Sequence, residues 1–292
     1  MLLAVPNFSE GRDAAVVARV SDAFSGEARL LDTHTDAVHN RSVLTLAGPP
    51  EQLCDSVVAG LAACVEEIDM REHAGAHPCI GALDVAPLVY TAGGDREAAA
   101  DAARRAARAI AEAGVPVFLY GDLASAPERR ERAYFRRGGL ARLAERMASE
   151  GLEADLGPGA PHASAGATLV TARPPLAAFN VLLDRGDMDM AREVAARLRE
   201  RGGGLPGVRA IAVDLGEGGP QISTNVHDPI SVPLADVVAR IAELAEPAGA
   251  LPRSAEVVGL VPEAALVGFP EDLAVPGFDP ERHVIERAAR TV

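Results

Sequence analysis

Short runs of β-branched and aliphatic residues alternate along this chain with longer stretches rich in Ala, Arg and Glu. The runs have the continuous or alternating apolar character of strands, and the stretches place apolar residues every three or four positions, as amphipathic helices do. In the first half the pattern predicts a strand over residues 2–6, a helix over 12–24, strands over 28–32 and 42–46, and a helix over 51–68. On that last helix Leu53, Val57, Val58, Leu61 and Cys64 recur at helical spacing. A strand over 83–90, a helix over 95–113 and a strand over 115–120 follow. In the second half the pattern predicts a strand over 177–183 and a helix over 188–201, stopped by Gly202, Gly203 and Gly204. Strands over 208–215 and 220–225 flank a turn at 216–219, and a helix over 234–244 and a strand over 257–261 complete the set.

Strand, helix, strand, strand, helix, strand is the order of the split βαβ, or ferredoxin-like, motif. The first half shows the same order with further elements appended. The chain therefore reads as α/β (α+β), with two tandem ferredoxin-like subdomains over residues 1–172 and 173–292 and a ligand cleft between them. The Gly-, Pro- and Ala-rich stretch 151–167 is the expected junction, and the charged run 128–137 reads as a solvated turn or helix face.

Composition narrows the partners. Hydrophobic residues make up 48% of the chain, mostly Ala, Val and Leu, which is ample for two cores. Only 3% of residues are aromatic and Trp is absent, so few surfaces could stack on nucleobases. The net charge is −14, and with no Lys in the sequence every basic residue is Arg. Such a surface repels nucleic acid and anionic membranes, and neither partner is expected. An anionic small molecule would have to be met by locally placed Arg or by helix N-termini. Cys54, Cys64 and Cys79 show no metal or disulfide spacing and read as small buried residues in a reducing compartment. The first residues lack a signal peptide's basic start and apolar core, and no apolar run reaches the roughly 18 residues of a membrane span. A cytoplasmic location is the expectation.

Chemistry-bearing residues gather in three places. The segment from Arg71 to Val85 holds His73 and His77. Histidines four apart could share a helical face and bind zinc, but Gly75 lies between them and Pro78 restricts His77 to extended or turn conformations. No metal site is expected. His77 instead occupies a loop at a strand's entrance, where an imidazole can exchange protons near neutral pH or serve only as a hydrogen-bonding group. Cys79, two residues on, is too far along an extended chain to be activated by His77. In Pro6-Asn7-Phe8-Ser9-Glu10-Gly11-Arg12, Ser9 could cap the next helix, whose free N–H groups would suit a carboxylate; a plain capped turn is the equal alternative. In the stretch His34 to Ser42, Arg41 could clamp a substrate carboxylate or form a structural ion pair.

These clusters form an ordered series: Pro6 to Arg12; His39-Asn40-Arg41-Ser42-Val43 with Thr45 and Gly48; and Gly75-Ala76-His77-Pro78 with Gly81-Ala82-Leu83-Asp84-Val85. The series continues through Val115-Pro116-Val117-Phe118-Leu119-Tyr120-Gly121, Gly157-Pro158, Gly166-Ala167-Thr168, Ala178-Phe179-Asn180, Ser223-Thr224-Asn225 and Val258-Gly259-Leu260-Val261-Pro262. Together it resembles glutamate formiminotransferase, the transferase half of formiminotransferase-cyclodeaminase. The resemblance implies two ferredoxin-like subdomains with folate along their cleft and a homodimer formed through the N-terminal half. It implies transfer of a formimino group from N-formimino-glutamate to tetrahydrofolate, a co-substrate, in histidine degradation and one-carbon metabolism, with no metal. By the same resemblance His77 is the acid–base residue, and Asn7, Asn40 and Arg41 bind substrate. The folate-binding loop is Gly157, Pro158, Gly159, Ala160, Pro161, His162, Ala163, Ser164, Ala165 and Gly166. A separate protein would carry out the cyclodeaminase step.

Four positions depart from the family's pattern: Ala76 and His34 stand where acids are frequent, Cys79 where a base is, and Ala165 where animal members carry Trp. They leave two alternatives open. One is a related folate-dependent enzyme acting on another donor or on formyl-folate, and the other is a non-catalytic folate-binding paralogue.

Overall fold

Pro6 has no N–H to give a ladder, and the first strand breaks beside it into β1 (Leu2–Ala4) and β2 (Asn7–Phe8). The computed structural model describes residues 2–91, 93–216 and 219–291, and the chain divides into two compact units, residues 1–174 and 175–292. In the first unit β1 and β2 lie between β4 (Arg41–Gly48) and β5 (Leu83–Tyr90), antiparallel to both. On the far side of β4 runs β3 (Arg29–Asp36), also antiparallel. Helix α1 (Ala14–Ser25) links β2 to β3, and α2 (Pro50–Glu67) links β4 to β5. Each helix thus connects two parallel strands with a third strand between them, which is the ferredoxin-like arrangement.

After β5 the unit adds α3 (Arg96–Glu112), β6 (Val117–Leu119), α4 (Arg132–Arg136), α5 (Gly139–Ser149) and β7 (Thr168–Arg173). Strand β7 pairs in parallel with both β5 and β6 and extends the sheet to seven strands. This makes β5 an interior strand covered on both faces, and Leu83 through Val89 are all buried. One face receives α3 through Ala99, Ala102, Ala103, Ala106, Ala107 and Ile110, whose small side chains let the helix approach closely. On the other face Phe118 of β6 meets Phe135 of α4, ring centroids 4.9 Å apart, with Val85, Leu143 and Leu169 around them.

The second unit is a four-stranded antiparallel sheet in the order β11 (Pro252–Val258), β8 (Ala177–Leu183), β10 (Pro220–Val226), β9 (Val208–Asp214). Helices α6 (Met188–Leu198) and α7 (Leu234–Ala245) complete a second ferredoxin-like unit. Alternate residues Ala177, Phe179, Val181 and Leu183 of β8 enter its core against Val194, Leu198, Val237 and Ile241. Among the described residues no helix is long and apolar enough to cross a membrane.

Several expected boundaries move. The stretch 151–167 lies inside the first unit, because it must return the chain to β7 beside β5. The run 128–137 is not a solvated face: it contains α4, with Phe135 and Arg136 buried against the sheet. Helix α1 is capped by Asp13, whose carboxylate accepts from Ala15 and Val16 N–H, not by Ser9. Helix α6 ends at Leu198, since the backbone at Gly204 folds back onto the helix end: a Cβ there would lie 2.1 Å from the Leu198 carbonyl. Strand β11 begins at Pro252, five residues before the expected position 257. The turn expected at 216–219 includes residues 217 and 218, which lie outside the described residues.

Gly60 of α2 faces α1, where a Cβ would come within 2.3 Å of the Phe24 ring. That ring is fully buried and stacked on Phe8, centroids 6.4 Å apart. Gly60→Ala gains roughly 1 kcal/mol of helix propensity, but overpacking costs about 1–3 kcal/mol. Because the ring has no open side, overpacking is expected to win. Urea unfolding followed by circular dichroism should give a lower midpoint for the variant; an unchanged or higher midpoint would refute the packing argument.

Candidate active site

The turn between β3 and β4 is closed by the Asp36 carboxylate. One oxygen accepts from the Val38 and His39 N–H groups at 2.8 Å each, and the other meets His39 Nδ1 at 2.5 Å. Burial alone would raise Asp36, but the hydrogen bonds from the His39 ring and backbone outweigh it and bring the carboxyl down to about 2. Asp36 is therefore ionised and accepts only, so His39 carries its proton on Nδ1.

Asn40 leaves this turn at φ 48°, the one described non-glycine residue with a left-handed backbone. Its side-chain oxygen accepts from Gly11 N–H at 2.9 Å, and its NH2 donates to the Ala74 carbonyl at 3.2 Å and to His73 Nδ1 at 3.3 Å. Gly11 and Gly75 press on the turn from either side. A Cβ at Gly11 would lie 2.3 Å from the Asp36 carbonyl, and one at Gly75 2.2 Å from that of His39. Ala76 N–H adds a bond to the Val38 carbonyl at 3.1 Å.

These bonds deliver His77 to Arg41, the first residue of β4. Arg41 Nη1 lies 2.7 Å from His77 Nε2. A guanidinium can only donate, so Nε2 is the acceptor and neutral His77 carries its proton on Nδ1, which is buried without a partner. Burial, then the charges of Arg41, Arg136 and Arg132, hold His77 well below its ordinary pKa. Its lone pair is engaged and its protonation is opposed. In this arrangement the group that His77 leaves unengaged is its Nδ1–H.

The surrounding charge is basic. Burial first and Arg136 next lower Arg41 to about 9, so it remains a cation at neutral pH. Arg132 is lowered by burial, with Arg136 acting in the same direction. Arg173, at the end of β7 beside Tyr120 and Arg132, is lowered chiefly by burial to about 10. Arg136 is ion-paired with Asp84 of β5, whose second oxygen accepts from Ile80 N–H at 2.9 Å. Of these four guanidiniums only Arg136 is paired with a carboxylate in this group, so the local charge is positive in a chain of net charge −14.

The other expected residues divide. Asn7 is buried and donates to the Val5 carbonyl at 2.8 Å. The loop before α1 offers no free N–H cluster, because Glu10 accepts from Gly11 at 2.8 Å and Asp13 at 3.0 Å. Ser9 Oγ donates to the Gly81 carbonyl at 2.7 Å. Burial pushes the Cys79 thiol up to about 11, which denies it a thiolate. In the loop 157–166, residues 157–160 are exposed, while His162 and Gly166 close a turn against the segment that follows His77. Ala165 is 1% exposed and packs in the core. Sequence reasoning missed Asp36, Asp84, Tyr120, Arg132, Arg136 and Arg173. The available signal was Tyr134-Phe135 between two Arg four apart, an apolar anchor inside a charged run. Among the described residues, no group of three or more His, Cys, Asp or Glu is placed to hold a metal ion.

The family model for the formiminotransferase domain, N-terminal subdomain, matches residues 1–173. The chain is 36% identical over 290 residues to glutamate formimidoyltransferase of Thermoplasma acidophilum, covering 97% of this chain and 95% of that one. It is 35% identical to the glutamate formimidoyltransferase of Streptococcus pyogenes, covering 97% and 96%. The formimidoyltransferase-cyclodeaminase of Rattus norvegicus is 34% identical over 90% of this chain, which spans 50% of that longer protein. The chain belongs to the formiminotransferase family.

Proposed function

We propose that this protein transfers a formimino group from N-formimino-glutamate to tetrahydrofolate. The observation that carries the reading is a neutral histidine, its Nδ1–H buried and unpartnered, set among four arginines of an otherwise acidic chain. The donor brings two carboxylates, which Arg132, Arg173 and the free side of Arg41 suit. Arg41 Nε is itself buried without a partner. Two relatives of nearly the same length carry the name of this activity.

The chemistry follows from the charges. Attack by the folate nitrogen turns the planar formimino carbon tetrahedral and localises a lone pair on the nitrogens around it. An Nδ1–H aimed at that position gains a stronger acceptor in the transition state than in the ground state, which is the condition for catalysis. Asn40 and Asn7 then act by holding the backbone, since their amides are engaged internally. The loop 157–166, whose buried end lies against the segment that follows His77, is the proposed wall for the folate. The decisive assay follows glutamate release from N-formimino-glutamate with tetrahydrofolate, with formyl-folate as the comparison. No release from the first pair would sink this reading.

His77→Ala is expected to lower kcat by about 10²–10³-fold, the worth of one transition-state donor, with folate binding and thermal unfolding unchanged. A variant retaining a tenth of wild-type turnover would remove His77 from the chemistry. Arg132→Gln is expected to raise the KM for N-formimino-glutamate by about 10–100-fold, the loss of one charged hydrogen bond, and to leave kcat within a few-fold. An unchanged KM would place the donor carboxylates elsewhere.

A further inference from the structure

The loop that carries His77 is held to the turn at Asn40 by another histidine. Asn40 presents its amide in one orientation only. Its Oδ1 must accept from Gly11 N–H at 2.9 Å, and its Nδ2 must donate to the Ala74 carbonyl at 3.2 Å. Those backbone groups cannot exchange roles, so the same NH2 faces His73 Nδ1 at 3.3 Å as a donor. His73 Nδ1 is therefore an acceptor, and the neutral ring carries its proton on Nε2. The half-buried ring also bonds the Ser9 backbone, just beyond β2. Three segments thus meet at His73: its own loop, the turn that starts β4, and the end of β2. Four residues on, the same loop sets His77 against Arg41, the residue that follows Asn40.

We propose that His73 is a positioning residue, whose Nδ1 lone pair holds the Asn40 amide and, through it, the placement of Arg41 against His77. The inference rests on the reaction proposed above. In this role His73 touches no substrate, and it acts only while neutral. An imidazolium would turn an N–H toward the Asn40 NH2, donor against donor, and the amide could not flip without losing both backbone partners. Burial, the largest influence, holds the ring below its ordinary pKa, and Arg12 acts in the same direction. The Ser9 backbone, Glu10 and Asp84 oppose them. The clasp is therefore closed above the ordinary histidine range and opens as pH falls below it.

Two variants separate this role from packing. In His73→Ala the acceptor is lost, and kcat/KM should fall roughly tenfold, the worth of one hydrogen bond. In His73→Asn the side-chain oxygen takes the place of Nδ1 and accepts from Asn40, but it cannot be protonated. That variant should keep kcat/KM within about threefold of wild type at neutral pH, and its ratio to wild type should rise as pH falls from about 7 to about 5. The ratio cancels every titrating group that the two proteins share, His77 included. Nitrogen-15 NMR reads the clasp without turnover. His73 should show Nε2–H and a bare Nδ1, and the ring signals of His77 should move in His73→Ala and stay in His73→Asn. A His73→Ala form with unchanged kcat/KM, a ratio that stays flat with pH, or a proton on His73 Nδ1 overturns the inference. If His73→Ala does not fold, the pH ratio of His73→Asn and the wild-type tautomer decide. An inactive wild type overturns the reaction proposed above, and the NMR signals then decide the positioning role by themselves.

Discussion

The site depends on one side-chain amide. Asn40 ties Gly11, its own turn and Ala74 together, joining segments that are 29 and 34 residues apart in the chain. The join works because the backbone passes within contact distance on both sides, which glycine alone permits at positions 11 and 75. Without the amide, the Gly11 N–H keeps only the Glu10 carboxylate of its own segment and loses its acceptor across the turn. The left-handed backbone at Asn40 turns the chain so that Arg41 starts β4 pointing at His77. Strain in one residue is thus held by the sheet on one side and the histidine loop on the other.

A second constraint is electrostatic. The guanidiniums lose water and repel one another in sequence: Arg136 and Arg132 lower the proton affinity of Arg41, Arg136 that of Arg132, and Arg132 that of Arg173. The appended elements α4 and β7 supply three of the four, so the addition to the ferredoxin-like sheet is what charges the site. The aromatic contact of Phe118 with Phe135 and the pair of Asp84 with Arg136 fasten α4 over β5. Energy gained by that packing holds the cations in place before any anion arrives. A bound dicarboxylate would relieve the repulsion, so the arginines are preorganised for such a ligand.

The regular part of the fold was legible in the sequence because periodicity reports burial directly. The interior strand 83–90 and the ferredoxin-like order of both halves follow from the apolar pattern alone. Elements whose burial comes from tertiary context were not legible. Helix α4 is a single short turn whose two outer charges conceal Phe135, and β7 follows a stretch with no periodicity. The loop 157–166 looks uniform in composition, yet its end is core and its start is surface, a difference set by the contact of Gly81 with Gly166. For the site, the sequence located His77 and Arg41 but not their relation. Local spacing cannot reveal that a guanidinium 36 positions away occupies an imidazole's lone pair.

That relation decides the chemistry of both histidines. The stretch 36–41 supplies a partner to each ring, and the two partners are opposite in kind. Asp36 can only accept, so it fixes His39 with its proton inward and its lone pair outward. Arg41 can only donate, so it fixes His77 with its lone pair inward and its proton free. Neither assignment could be made by a group that both donates and accepts, such as an amide or hydroxyl. The absence of Lys bears on the same point: a buried ammonium readily loses its proton and would then become an acceptor, whereas Arg41, even lowered to about 9, stays a donor across the neutral range. A fixed turn carrying an obligate acceptor at one end and an obligate donor at the other therefore sets the tautomer of both rings and leaves the Nδ1–H of His77 unbonded.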